Sequence, residues 1–273
     1  SVSDSSANEG DNVTFTITLD AARSMPVDVS YATSDGTATL ADSDYTNTSS
    51  TLTIPAGAAG QTATFTVATT EDAKVEADET FTVTLSSTDT NATWNDQTGT
   101  GTIINDDTFS LSVNNASAEE GNNVSFTITL GADTAIDLDV TYDASDGTAT
   151  VGDADFTDTP GSVTFSSGST AGATKSFTVA TTEDAKVEAD ETFTVTVSSA
   201  HVAFDGNDAT GTGTITNDDT YDISVSDSSA NEGDNVTFTI TLDAARSMPV
   251  NVSYATSDGT ATLADSDYTN TSS

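Results

Sequence analysis

The 273-residue sequence contains no cysteine, so neither a disulfide framework nor thiolate chemistry is open to it. Whatever holds it together must come from a packed core or from bound metal. Cations are almost as scarce. Five lysines and arginines face 44 aspartates and glutamates, for a formal charge of −39. With no basic patch to release phosphate counterions, nucleic acid is excluded as a natural partner, and the same charge argues against an anionic membrane surface. No apolar run is long enough to span a membrane and no secretory leader is present, as expected for an internal stretch of a longer chain. No window carries a helical period of apolar residues either.

High charge with few aromatics is also a signature of disorder. That reading fails here because apolar residues alternate with threonine in run after run. Val13, Phe15, Ile17 and Leu19 are interleaved with Thr14, Thr16 and Thr18, and the pattern returns at Phe126–Ile128–Leu130 and Phe238–Ile240–Leu242. A period of two with β-branched and aromatic residues predicts strands with one buried face. Further strands are expected at Val27–Tyr31, Leu52–Ile54, Phe65–Val67, Phe81–Leu85 and Gly101–Ile104, with counterparts at Leu138–Tyr142, Val163–Phe165, Phe177–Val179, Phe193–Val197 and Gly213–Thr216. Opening strands are expected at Ser1–Ser3, Phe109–Val113 and Tyr221–Val225. Turn residues such as Ser34-Asp35-Gly36 and Asn105-Asp106-Asp107 separate the runs.

The chain repeats itself. Residues 1–50 return as 224–273 with one change, Asp28 to Asn251, and the run TTEDAKVEADETFTVT at Thr69–Thr84 recurs unaltered at Thr181–Thr196. Glu9 and Glu120 lie 111 residues apart, and Asp106 and Asp218 lie 112 apart. A fixed period of this length is one small domain. The boundaries read as 1–107, 108–219 and 220–273, the last holding only the first half of a unit. About seven short strands per unit predict an all-β fold of tandem, immunoglobulin-like antiparallel sandwiches. Only Thr108 or Thr220 separates one unit's last acidic pair from the next opening strand, which is too short for a flexible linker. Trp94 has no counterpart in the second unit and reads as a loop residue, and His201, the only histidine, as a surface residue.

Acidic residues gather at four places in each complete unit: Glu9; Asp42 and Asp44; the run from Glu71 through Asp72, Glu76 and Asp78 to Glu79; and Asp106 with Asp107. Loops of a sandwich alternate between its two ends, and strand parity puts all four at one end. Roughly eight carboxylates in one small volume repel strongly. A hard cation with oxygen ligands is the remedy, and Ca²⁺ tolerates irregular carboxylate coordination better than Mg²⁺.

The succession EG, SDGTAT, SDY, TTEDAKVEADETFTVTL and GTGTIINDD resembles a Calx-beta domain, a module of sodium–calcium exchangers and of bacterial surface proteins. The second unit answers with EEG, SDGTAT, ADF, the same acidic loop and GTGTITNDD. The resemblance covers essentially the whole chain. It implies several Ca²⁺ ions per complete domain, held at the end where one module meets the next. The implied ligands are Glu9, Asp44, Glu71, Asp72, Glu76, Glu79, Asp106 and Asp107, then Glu120, Asp155, Glu183, Asp184, Glu188, Glu191, Asp218 and Asp219. Ala73 and Ala185 stand where many members carry a third consecutive acid, which leaves the number of ions open. The partial unit keeps Glu232 and Asp267 but lacks the long loop, so alone it is not expected to form a site.

No nucleophile–base pair, phosphate loop or cofactor fingerprint occurs, and a catalytic site would not be copied unchanged along an array, so the expected role is not enzymatic. The first reading is a set of extender repeats from a long secreted bacterial surface adhesin. Calcium would stiffen the junctions between neighbouring repeats, while other domains bind the adhesive ligand. Two alternatives stay open: a calcium sensor that transmits a conformational change, and repeats that bind a surface ligand directly. Near-identical tandem copies favour the rod.

Overall fold

The computed structural model describes residues 1–273, and all its regular structure is strand, with no helix long and apolar enough to cross a membrane. Unit one comprises β1 (Ser5–Asn8), β2 (Asn12–Thr18), β3 (Val27–Asp35), β4 (Ser49–Ile54), β5 (Thr62–Ala68), β6 (Lys74–Val75), β7 (Glu79–Ser86) and β8 (Thr98–Ile104). One sheet runs β4-β3-β7-β8-β1. The facing sheet pairs β2 with β5, Phe15 opposite Phe65, and is widened by bridges from Val2 to Ile17 and from Tyr45 to Thr69. The apolar half of each alternation points inward. Val13, Phe15, Ile17, Phe65 and Val67 thereby meet Val29, Phe81, Val83 and Leu85 in one buried core.

Unit two repeats the plan with β9 (Leu111–Val113), β10 (Ala116–Glu119), β11 (Val124–Leu130), β12 (Asp133–Thr134), β13 (Leu138–Ser145), β14 (Phe156–Thr157), β15 (Gly161–Phe165), β16 (Thr174–Thr181), β17 (Lys186–Val187), β18 (Glu191–Ser198) and β19 (Ala209–Thr216). Its sheets run β15-β13-β18-β19-β10 and β14-β16-β11-β9.

The opening strand differs from the single segment expected at Ser1–Ser3. Val2 pairs with β2, after which the chain crosses to the other sheet and β1 lies parallel to β8, Asn8 opposite Ile104. One short segment thus covers an edge of both sheets, which blunts edges that would otherwise template pairing with other chains. The parallel sense also has a consequence for the acidic end. The residues that follow β1 and those that follow β8 leave the sheet side by side, so Glu9 emerges next to Asn105, Asp106 and Asp107. Trp94 lies in a loop as expected, but its side chain packs on the core of unit one.

Where units meet, the tie is wider than the single residue Thr108. The two-residue strand β6, within the acidic loop of unit one, pairs in parallel with β12 of unit two. The same device recurs one unit later, where β17 pairs with β22 (Ala245–Arg246).

The partial unit keeps β20 (Ile223–Val225), β21 (Ile240–Leu242) and β22. The strand expected from Phe238 begins only at Ile240, and its one partner is β20. Phe238 is 55% exposed, whereas Phe15, the same residue in unit one, is fully buried. Val225, Val236, Ile240 and Tyr254 are exposed beside it. Such a patch binds apolar dyes. The whole chain is therefore expected to enhance anilinonaphthalene sulfonate fluorescence severalfold more than a chain ending at Asp219, and equal dye binding by the two would contradict this placement.

Candidate metal centre

The acidic end of unit one is assembled from four segments, each fixed by its own local chemistry. Glu9 follows β1 and donates its backbone N–H to Ile104 O at 3.2 Å. The next residue, Gly10, turns the chain with φ +73°. A Cβ there would lie 2.6 Å from Glu71 Oε2. The left-handed backbone is what favours glycine here, and the Glu71 carboxylate lies over it. Gly121 repeats this under Glu183.

Asp44 closes a turn on Thr39, accepting the Thr39 N–H on Oδ2 at 2.6 Å while its own N–H reaches Thr39 O at 3.1 Å. Between Asp42 and Asp44, Ser43 holds φ +71°, and its equivalents Ala154 and Ser266 hold +69° and +61°. A side-chain-bearing residue in the left-handed region costs about 1–2 kcal/mol. A cost kept in three copies marks a constrained turn that sets where the second acid points. Asp42 itself is spent locally, accepting the Thr39 hydroxyl at 3.0 Å.

In the long loop, Asp72 Oδ1 accepts the Lys74 N–H at 2.8 Å, and the Lys74 ammonium pairs with Glu76. Glu79 opens β7. Asp78 is turned away from the other acids to accept the Asn105 N–H at 3.2 Å.

Two carboxylate triads result in each complete unit. Glu9, Asp72 and Asp107 form one and Asp44, Glu76 and Glu79 the other, with the oxygens of each triad within 4.8 Å of one another. Unit two repeats them as Glu120–Asp184–Asp219 and Asp155–Glu188–Glu191. Of the residues expected from the sequence, Glu71, Glu183, Asp106 and Asp218 stand outside the triads. Glu71 lies over Gly10, and Asp106 accepts the Asn8 side-chain amide at 3.1 Å. Unit two has Glu119 in place of Asn8, so the amide donor that Asp106 meets has no counterpart for Asp218. Glu232 and Asp267 belong to none of these triads.

Asn105 was not singled out from the sequence, yet it ties the centre together. Its Oδ1 accepts the Glu76 N–H at 2.8 Å, and its Nδ2 donates to Asp107 O at 3.1 Å. Asn217 makes the same bonds to Glu188 and Asp219, at 2.6 and 2.9 Å. The signal lies in the repeated NDD triplets, whose first residue carries no charge and so does not stand out among the acids.

The electrostatics are those of crowded, half-dry anions. At about 4 Å two carboxylates repel by about 4 kcal/mol under an effective dielectric of 20. Burial, with the charges of Asp72 and Asp107 behind it, pushes the Glu9 carboxyl up to about 7, and Glu120 rises equally for the same reasons. Glu79 and Glu191 also rise to about 7, through burial first and then Asp44 or Asp155. Asp107 is raised by burial and by Asp72.

The residues fit a hard cation. Every donor in the triads is oxygen, with neither cysteine nor histidine among them, which suits Ca²⁺ and not Zn²⁺. Asp107 Oδ2 and Asp219 Oδ2 are buried without a hydrogen-bond partner, a costly state that a cation would relieve. In unit two a cavity of about 20 Å³ lies among Glu120, Asp155, Asp184, Glu188 and Glu191. One water-sized occupant needs roughly 10–15 Å³.

Comparison with known proteins agrees with this architecture. The sequence matches the Calx-beta domain family three times, over residues 2–108, 105–220 and 215–273. No curated protein sequence matches the chain. Among solved structures, it is similar to the crystal structure of CBD12 from CALX1.2, with 17% identity and a TM-score of 0.36 over 78% of this chain and 96% of that one. It is also similar to the calcium binding domain CBD12 of CALX1.1, with 20% identity and a TM-score of 0.34 over 72% of this chain and 80% of that one. The apo-form Calx CBD1 domain is covered completely by 41% of this chain, at 20% identity and a TM-score of 0.35. The sequence matches, running end to end, carry the assignment: the chain belongs to the Calx-beta domain family, as a tandem of such domains.

Proposed function

We propose that this tandem binds Ca²⁺ at the acidic end of each complete unit and works as an extender region of a long secreted bacterial surface adhesin. In this role it is structural, without catalysis, and its immediate partners are neighbouring repeats. The adhesive ligand is bound by other domains of the parent protein. The observation that carries the reading is the position of the paired triads. Asp107 belongs to one of them, and two residues later Phe109 is already buried in the core of unit two.

Glu9, Asp72 and Asp107 would hold an ion on the side nearer the next unit's opening strand, and Asp44, Glu76 and Glu79 a second position. Asn105 keeps Glu76 and Asp107 in register for both. The bound cation would supply the positive charge that lets these carboxylates stay ionised together. The chain's own residues do the rest: the Thr39–Asp44 turn, the Gly10 turn and the Asn105 bonds set where the donors stand. A preorganised acidic end of modest affinity suits millimolar extracellular calcium.

Small-angle scattering and calorimetry test this directly. An ion present at about a hundred times its Kd adds about 2.7 kcal/mol to the folded state, which raises the midpoint of a domain this size by about 10 °C. Calcium is expected to raise the thermal midpoint by that amount and to lengthen the maximum dimension, and a chelator should reverse both. A protein that melts and scatters identically in calcium and in chelator would refute the proposal.

A further inference from the structure

Val75 belongs by sequence to unit one but by packing to unit two. It is fully buried, and the core it joins is that of Phe109, Leu130 and Leu138. The attachment is specific. The Ala135 N–H donates to Val75 O at 2.9 Å, and the hydroxyl of Thr134, 1% exposed, lies 3.2 Å from Val75 O and 2.9 Å from Ile136 O, its one hydrogen shared between the two carbonyls. Beside it the backbone of Lys74 pairs with Asp133. One unit later Val187 is also buried, though it joins neither core, and its carbonyl accepts the Ser247 N–H at 3.2 Å. The core of unit one, in contrast, is made only of unit-one residues.

The sequence around the plug is what gives the arrangement meaning. Lys74 and Val75 sit between Asp72 and Glu76, which belong to the two different triads of unit one. Both ends of a two-residue strand are therefore tied to carboxylates that repel one another until they are neutralised. Loosening the triads frees the strand at both ends, and freeing the strand opens the core of the next unit.

Resting on the calcium reading above, we propose that the Lys-Val step of each acidic loop is a strand-donating plug whose partner is the C-terminal neighbouring unit. Through it, ion occupancy in one unit stabilises the unit that follows. The strand donation runs one way. Unit one's ions hold unit two together, whereas unit two returns no side chain to the core of unit one. An array built this way stiffens and stabilises cooperatively from its N-terminal side.

The test uses Val75→Ala in the full chain, with Val75→Thr as a milder variant that keeps the volume and adds a hydroxyl. Hydrogen exchange is followed in the peptide over 131–140, Trp94 fluorescence reports the unfolding of unit one, and titration calorimetry counts calcium. In calcium-loaded Val75→Ala, exchange over 131–140 is expected to accelerate on the order of tenfold or more, with Val75→Thr between it and the parent. The Trp94 transition and the calcium stoichiometry should stay unchanged. In the parent chain, calcium should slow exchange over 131–140, and in Val75→Ala this protection should be largely lost.

Exchange over 131–140 that ignores both substitutions, or a Trp94 transition that falls as far as unit two does, overturns the plug. A parent chain that takes up no calcium in the calorimeter refutes the calcium reading and with it the coupling to ions. The substitutions then still decide, from exchange in the ion-free chain, whether the plug itself exists.

Discussion

Acidifying the calcium-stripped protein from about pH 7.5 to about 5 is expected to raise its thermal midpoint, and the same change in excess calcium to lower it. The sign follows from Glu9, Glu79, Glu120 and Glu191, each raised from 4.5 to about 7 in the folded chain. The folded state then holds these protons more tightly than the unfolded one. Their favourable contribution is complete below the unfolded value near 4.5 and is lost as the pH climbs through about 7. Bound calcium reverses the order, because it favours the ionised carboxylates and is released when they are protonated. With solvent screening of the half-exposed Glu79 and Glu191 discounted, the change in each direction is on the order of 5–10 °C. General self-repulsion in a chain of charge −39 acts in the same sense as the stripped clusters. The double variant Glu9→Gln, Glu120→Gln separates the two, since it removes the buried acids and barely alters total charge. Scanning calorimetry at both pH values reads the outcome. A midpoint that moves the same way with and without calcium, or a pH slope unaltered in the double variant, would sink the explanation.

How far the sequence revealed this molecule depends on the distance over which each feature is determined. Strands with their own alternating pattern, such as Asn12–Thr18 and Glu79–Ser86, were legible because burial of one face is written every second residue. The convergence of Glu9, Asp72 and Asp107 was legible from parity, since loops at one end of a sandwich must share that end. The split opening segment was not. Ser5–Asn8 has no alternating apolar pattern, and its parallel pairing with Thr98–Ile104 is imposed by the two sheet edges it covers. Asn105 was missed because its role lies in three hydrogen bonds and not in charge. Val75 was hidden for a related reason. Among Glu71, Asp72, Glu76 and Glu79 a lone valine looks incidental, and its partner lies in the following unit.

Truncating Phe81 to alanine is expected to remove about 3–5 kcal/mol from unit one, the usual cost of emptying a fully buried aromatic site. Against a total of roughly 5–15 kcal/mol for a domain, that is a large share of its stability. The ring is fully buried, stacks on Tyr45 with centroids 4.6 Å apart, meets Phe15 edge-on at 5.9 Å, and covers Gly101 so closely that a Cβ there would lie 2.4 Å from its tip. The same ring reaches the acidic end from both sides. Tyr45 directly follows Asp44 and anchors its hydroxyl on Asp35 at 2.7 Å, while Glu79 lies two residues before Phe81 on the same strand. Without the ring, Tyr45 loses the surface that fixes it, and Asp44 is no longer held against Glu76 and Glu79. Phe81→Ala should therefore weaken calcium binding in unit one as well as lower its urea midpoint, and leave the triads of unit two as they were. Phe193→Ala should do the converse, because Phe193 stacks at 4.7 Å on Phe156, the residue after Asp155. Trp94 fluorescence in urea reads unit one, hydrogen exchange over the strand Glu191–Ser198 reads unit two, and calorimetric titration of each variant counts and weighs its calcium. If stability falls and calcium binding in the affected unit does not, the core supports the fold without positioning the donors. If both fall together in the altered unit, the aromatic stack is what carries packing energy into the geometry of the acidic end.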